Sequence, residues 1–247
     1  MKKTNILSSS FIGRYAIDRE LKKFAKKYDG KSKIVIDIGA GEKPYARFFK
    51  KSKYIGIDIK ENEKADIVAY AWDVPLKDNS ADILIMTQSL EHIIKTKETI
   101  EEVERILKKG GIGYISAPLI WRTHATPVPS EKIEYAHFDK NQIPYFRHDF
   151  WRFTKFGLIV LLEQFEILRL KESNGYFSTL LQLVNTFLKT LNIPIIFIPI
   201  YFINNLFAIF IEIAFILIQK IRMPVVKKFF DLIYYSLPLN CIVVFKK

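Results

Sequence analysis

The sequence predicts a doubly wound α/β fold on a mostly parallel, seven-stranded sheet, with a hydrophobic helical segment inserted before the last strand. Three observations predict it. The apolar run Ile34-Val-Ile-Asp-Ile-Gly-Ala-Gly-Glu42 ends in a carboxylate and a Gly-x-Gly turn, the mark of a first strand opening onto a ligand. A second short strand, Tyr54-Ile-Gly-Ile-Asp58, carries an acid at its end, near the offset of about 20 residues expected of a ribose-binding carboxylate. Beyond these, strands alternate with helical segments at lengths that imply parallel pairing through right-handed crossovers.

Taken in order, the segment from about Phe11 to Tyr28 places Tyr15, Ile17, Leu21 and Phe24 near helical spacing, so it forms an N-terminal helix against the sheet that Gly30 breaks. The two acid-tipped strands follow. A third element, Ala71-Trp-Asp-Val-Pro-Leu76, precedes a loop and the strand Asp82-Ile-Leu-Ile-Met-Thr87. Thr96 can cap a helix in which Ile100, Val103 and Leu107 share a face, and Gly110-Gly111 supply its stop before the strand Ile112 to Ala117. Residues 118–154, rich in His, Pro and aromatics, have no period and should form a long lid over the pocket. A helix begins near Thr154, a strand runs from about Phe165 to Leu170, and Asn240 to Phe245 reads as the last strand.

The insert is the second most informative feature. Ile193 to Ile203 and Leu206 to Ile218 are almost wholly apolar, interrupted by Pro194 and Pro199, separated by Asn204-Asn205 and carrying Glu212. Neither run reaches the roughly 20 clean residues of a spanning helix. A combined span would hold two Asn and a Glu at a cost of a few kcal/mol. If the last strand rejoins the sheet, an odd number of crossings is excluded. The expected domain is therefore 1–175 with 237–247, and 176–236 is a re-entrant or interfacial helical hairpin. Lys189, Lys220, Arg222, Lys227 and Lys228 would face lipid headgroups. Burial against a partner subunit, through which the protein would form a homo-oligomer, and a private helical subdomain are the alternatives.

Composition bounds the function. With 247 residues and 49% apolar content the chain can bury a substantial core. One cysteine, Cys241, excludes an internal disulfide framework and reads as a buried strand residue. The first ten residues are basic but too polar for a convincing signal peptide; the lone thiol points to the cytoplasm, and the expected location is the inner face of the membrane. A net charge of +12 suits an anionic neighbour, nucleic acid or anionic lipid, yet the lysine pairs at 22–23, 26–27, 50–51 and 108–109 form no contiguous strip.

With the glycine-rich Asp37-Ile-Gly-Ala-Gly41, the strand-end Asp58, the Asp73-Val74 pair and Gln88-Ser-Leu-Glu-His92 in this order, the chain resembles the class I S-adenosylmethionine-dependent methyltransferases over roughly residues 30–120. The resemblance implies a Rossmann-like fold with S-adenosylmethionine as cofactor. Asp37, Gly39, Ala40 and Gly41 would hold its methionine part, Asp58 beside Ile59 its ribose, and Asp73 and Val74 its adenine; Gln88 counts among the cofactor-binding positions. The turn, Gly-Ala-Gly-Glu-Lys-Pro, departs from the fuller Gly-x-Gly-x-Gly pattern at Lys43 and Pro44.

Methyl transfer relies on alignment, with a base needed chiefly when the acceptor is a hydroxyl. All four histidines, His92, His124, His137 and His148, fall after strand ends or in the lid. His148 beside Asp149 is the first candidate base and His124 the second, with His92 read as structural or cofactor-side. Asp149 would orient the base or cap the following helix. Arg152 can hold an anionic acceptor, and Trp151 either packs the lid or lines the acceptor side. No cluster has metal-ligand spacing. Phe146-Arg-His-Asp-Phe-Trp-Arg-Phe-Thr154 resembles a subgroup linked to glycan and envelope biosynthesis, which implies O-methylation of a small-molecule, lipid-linked or glycan-related acceptor at a membrane lipid surface. An RNA methyltransferase, disfavoured by the scattered charge, and a non-catalytic membrane scaffold are the rival readings.

Overall fold

The computed structural model describes residues 4–59, 64–121, 149–220 and 224–247. The elements are α1 (Phe11–Tyr28), β1 (Ile34–Ile38), β2 (Lys53–Asp58), β3 (Ile67–Val68), β4 (Ala81–Thr87), α2 (Thr96–Ile106), β5 (Leu107–Pro118), α3 (Lys155–Leu161), β6 (Glu166–Ser173), α4 (Tyr176–Thr190), α5 (Pro194–Ile218), α6 (Pro224–Tyr235) and β7 (Asn240–Lys246). The strands form one seven-stranded sheet in the order β3-β2-β1-β4-β5-β7-β6. β7 runs antiparallel to both of its neighbours, and the pairings from β3 through β5 are parallel. The order reverses between β1 and β4, the switch point at which open α/β sheets bind ligands.

Each face of the sheet has its own core. On one, Ile17, Leu21 and Phe24 of α1 pack with Tyr45 and Phe49 onto Val35, Ile83, Ile85, Tyr114, Ile242 and Val244. On the other, Ile100, Val103 and Ile106 of α2 join Leu158 and Phe165 against Ile36, Ile38, Leu84, Met86 and Ile115. The buried strands are continuous Val/Ile/Leu runs because helices cover both faces. Tyr15 is the exception to the expected helical face: it points outward and stacks on Phe11 at 5.2 Å.

Several boundaries differ from expectation for physical reasons. No helix links β1 to β2, because the chain spends residues 39–52 on the glycine turn and a single 3-10 turn, Ala46–Phe48. The strand after β2 is Ile67–Val68 rather than the 71–76 stretch, which instead forms a turn closed by the Tyr70–Asp73 bridge. Thr96 is the first residue of α2 and not its cap, and its neighbour Thr99 donates through Oγ1 to the Lys95 carbonyl at 2.8 Å. That helix ends before the glycines, since Leu107 already turns extended and pairs with Ala81. Thr154 caps α3, its Oγ1 accepting from the Gly157 amide at 3.0 Å, so Asp149 is not that cap.

The two apolar runs of the insert form one continuous helix, α5. Pro199 lies only in its second turn, where a missing amide costs one bond. Asn204-Asn205 does not break α5 because both side chains are engaged across it: Asn204 donates to Asn185 at 2.8 Å, and Asn205 donates to the carbonyls of Ile6 and Ser8.

Candidate functional site

The sheet register lines up the predicted residues along one edge. Ile38 aligns with Ile57 on one side and Met86 on the other, and Met86 with Ile115. The next residues, Gly39, Asp58, Thr87 and Ser116, therefore stand side by side at the carboxyl ends of β1, β2, β4 and β5, where such sheets bind ligands.

The glycine turn is tied down over β2. The amides of Gly39 and Ala40 donate to the Ile57 carbonyl at 2.9 and 3.0 Å, and the Gly41 amide donates to Asp58 Oδ2 at 2.7 Å. Gly39 and Gly41 both have left-handed backbones, with φ of +74° and +51°. Their surroundings differ. A Cβ on Gly39 would lie on the Ser89 hydroxyl and 2.5 Å from its Cβ, whereas one on Gly41 would meet nothing within 4 Å. Gly39 permits close packing, and Gly41 bares the backbone to open space. Lys43, also at positive φ, completes the turn through an ion pair with Asp66 at 2.8 Å, which explains why the shorter glycine pattern still closes.

Asp37 faces inward. It is fully buried, accepts from the Tyr54 hydroxyl, and burial pushes its carboxyl up to about 7, with the Asp58 charge adding to the shift. It supports the turn from beneath instead of presenting an oxygen at the edge. Asp58 is half-buried beside the turn, with Ile59 after it and Ala40 buried above β2.

Asp73 is exposed, in the loop that leaves β3, and Ala69 at the start of that loop donates to the Asp58 carbonyl at 3.1 Å. Val74 does not offer a surface to a base: its side chain belongs to the core, and its amide donates to Glu102 Oε1 at 2.7 Å. The flat surface here is Tyr70 and Trp72, stacked at 4.8 Å with the Lys95 ammonium 5.2 Å from the Trp72 ring. Sequence reasoning passed over that pair, although the spacing Tyr-x-Trp on either side of Ala71 could have signalled it.

Beyond β4, Gln88 takes φ +53° and its amide donates to the Ser116 carbonyl at 2.9 Å. Such a backbone in a non-glycine residue at a sheet edge marks a constrained site. The 3-10 turn Leu90–His92 follows. The Glu91 carbonyl accepts from the amides of Phe150 and Trp151, and Trp151 Nε1 donates to the Ile93 carbonyl at 2.9 Å, fastening residues 149–151 to this turn. Asp149 is thereby brought to His92, with Oδ1 3.2 Å from Nδ1, while its other oxygen accepts from Arg152 at 2.8 Å. Burial pushes the neighbouring Glu91 carboxyl up to about 8, with the Asp149 charge contributing. His148 and His124 lie outside the described residues. Among the described residues the histidine beside Asp149 is His92, which the sequence placed in a supporting role. Trp151, exposed, is fastened to this turn through Nε1, and Arg152 is engaged with Asp149.

These residues suit S-adenosylmethionine. The open space over Gly41 admits a ligand against the backbone, Asp58 and the exposed Asp73 offer carboxylates on either side of the β3 loop, and Tyr70 and Trp72 offer an aromatic face. Comparisons with known proteins agree. A family model described as "Hypothetical methyltransferase" matches residues 14–172, more than half of the chain. The uncharacterized protein MJ1123 of Methanocaldococcus jannaschii is 34% identical over 84 residues, covering 31% of this chain and 40% of that one. The match thus spans less than half the length of that curated relative. Among solved structures, a SAM-dependent methyltransferase from Archaeoglobus fulgidus superposes with a TM-score of 0.54 at 16% identity, over 95% of this chain and 94% of that one. The [4+2]-cyclase SpnF superposes with a TM-score of 0.52 at 14% identity, over 94% and 81%. At these identities both show the shared fold alone. On the family match, the chain belongs to this methyltransferase family, whose expected cofactor is S-adenosylmethionine.

Proposed function

We propose that the protein transfers the methyl group of S-adenosylmethionine to an oxygen of a lipid-linked or glycan-related acceptor presented at a membrane surface. The observation that carries this reading is the His92–Asp149 pair, 3.2 Å apart in the turn directly after β4. The Asp149 carboxylate, 3.2 Å from Nδ1, would favour a proton there once the two groups align, leaving Nε2, 3.8 Å from Glu91 Oε1, as the basic nitrogen that a hydroxyl acceptor needs. Asp58, Asp73 and the glycine turn would hold the cofactor, whose sulfonium supplies a methyl carbon activated for in-line attack. His92 would take the proton of the acceptor hydroxyl. Arg152, held by Asp149, brings a cation to the acceptor side that suits a phosphate or carboxylate on the substrate.

Fold alone does not give chemistry, as the likeness to a cyclase illustrates. The test is incubation of detergent-purified protein with methyl-labelled cofactor and a membrane lipid extract. Label should pass to the organic phase, and His92→Ala should slow transfer by about 10²- to 10⁴-fold with cofactor affinity retained. Label that reaches RNA and not lipid, or transfer indifferent to His92→Ala, would overturn the reading.

A further inference from the structure

We infer that α4, α5 and α6 form a docking face that lies in the plane of an anionic phospholipid bilayer without crossing it. The inference deepens the membrane part of the function proposed above and rests on that part alone.

The insert is polar inside and apolar outside. Gln182, Asn185, Thr186, Asn205 and Glu212 are all buried, and their partners are internal. Gln182 donates to the Ser9 carbonyl at 2.6 Å and accepts from the Gly13 amide; Asn185 donates to Asn205 at 2.9 Å; Glu212 accepts from Ser178 at 2.8 Å and from the Tyr234 hydroxyl. The groups that made insertion into lipid look costly are thus satisfied within the protein, as a bilayer environment requires. The outward surface is apolar instead: Ile195 is 84% exposed and Phe210 65%, with Phe187, Ile203, Phe207, Phe229 and Leu232 also bared. A contiguous surface of this kind is the mark of an interaction site.

Geometry decides between lying and spanning. Residues Ile195–Ile218 of α5 are long and apolar enough to cross a membrane, and only 28% of their most apolar stretch is buried. The chain, however, leaves the sheet at β6 and returns at β7, its hydrogen-bonded neighbour. A crossing by α5, about 37 Å long, would need a return by α4 or α6, which at about 22 and 18 Å cannot span a core of about 30 Å. Ala208, midway along α5, also packs on Phe11 and Ile12 of α1, which is itself fixed to the sheet. The helix therefore lies flat.

Charge selects the occupant. Lys189, Lys220, Lys227 and Lys228 are exposed at the helix ends. Beside them, four cations converge on one buried carboxylate, Glu20: Lys171 at 2.7 Å and Arg169 at 2.8 Å from β6, with Lys23 at 3.2 Å and Arg19 at 3.5 Å from its own helix α1. One carboxylate holds the cluster together and leaves it strongly cationic. The cluster adjoins the insert, since β6, which carries Arg169 and Lys171, ends at Ser173, two residues before Gly175, against whose backbone the Tyr234 ring of α6 packs. A bilayer with anionic headgroups complements an apolar face bordered by such a cluster, whereas a second copy of this chain would bring like charge to like.

Flotation of the full chain with vesicles of phosphatidylcholine, alone or mixed with phosphatidylglycerol, tests this. Binding should favour the anionic vesicles, fall with added salt, weaken severalfold in Arg169→Ala with Lys23→Ala, and be lost in Phe210→Glu, whose cofactor binding reports that it is folded. A membrane-impermeant maleimide should label Lys189→Cys and Lys220→Cys equally on intact vesicles, the native Cys241 being buried. Protection of one position until detergent is added would show that α5 spans and overturn the in-plane arrangement. Absence of flotation, or a dimer in lipid-free buffer that Phe210→Glu dissolves, would overturn lipid docking. A chain that methylates lipid but does not float leaves the catalytic reading standing, and one that floats without transfer leaves the docking face standing.

Discussion

Gly39→Val is expected to destabilise the protein by about 3 kcal/mol or more and to lower its melting temperature by roughly 10 °C. Two costs add at this position. A β-branched residue at φ +74° is a backbone outlier, and its Cβ would fall on the Ser89 hydroxyl and 2.5 Å from the Ser89 Cβ. Ser89 cannot swing aside cheaply, because it is buried and its hydroxyl donates to the Thr87 carbonyl at 3.2 Å. The companion substitution separates packing from binding. Gly41→Ala meets nothing within 4 Å, so it should cost only about 1 kcal/mol of stability while its methyl group obstructs the space a cofactor needs. Thermal melts of both variants, paired with cofactor titrations, check this. A Gly39→Val protein that melts like the wild type would show that the turn is not packed as described.

A second large effect lies in pH. The Glu91 carboxyl is held at about 8 by burial in the folded chain, against an ordinary value near 4.5. Between those values the folded state keeps a proton that the unfolded state has lost. The associated stability is complete below about pH 4.5 and disappears as pH rises through 8, a change of a few kcal/mol. Asp37, raised to about 7, acts in the same direction over a lower window. Glu20 acts in the opposite direction: burial would raise it, but the Lys171 hydrogen bond and the surrounding cations hold it at about 2, so its stabilisation is complete above about 4.5 and lost below. Maximal stability should therefore fall near pH 5. Glu91→Gln should flatten the alkaline side of the profile. At pH 5, where the buried Glu91 carboxyl is itself neutral and nearly isosteric with an amide, the variant should match the wild type to within about 1 kcal/mol. It would be more stable than the wild type at pH 9. Denaturant unfolding across that range measures both, and parallel profiles would contradict the assignment.

What was legible in the sequence was local or periodic. The first two acid-tipped strands, the extent of α1 and the last strand follow from apolar runs and turn residues, and the switch point follows from their order. What escaped depends on distant contacts. His92 looked like part of a supporting turn because its partner Asp149 is 57 positions away and arrives only when residues 149–151 bind the Glu91 carbonyl. Val74 looked like a base-contacting residue, but its amide is claimed by Glu102 on α2. Asn204 and Asn205 read as a helix break because isolated Asn residues favour turns, whereas contacts with α4 and the N-terminal segment satisfy both within one helix. The scattered lysines hid a cationic cluster for the same reason: Arg169 and Lys171 meet Glu20 across about 150 residues of chain.

The most direct test of the central claim is calorimetric titration of S-adenosylmethionine into the detergent-purified full chain, with Asp58→Ala alongside. Asp58 accepts the Gly41 amide at 2.7 Å and stands at the end of β2, so it anchors the turn, and in the proposed cofactor site it would hold the ribose. The account predicts micromolar binding to the wild type and a loss of about 100-fold or more in Asp58→Ala, about 3 kcal/mol. Wild-type protein with a cooperative melt and no heat of binding would contradict it, as would unchanged affinity in the variant.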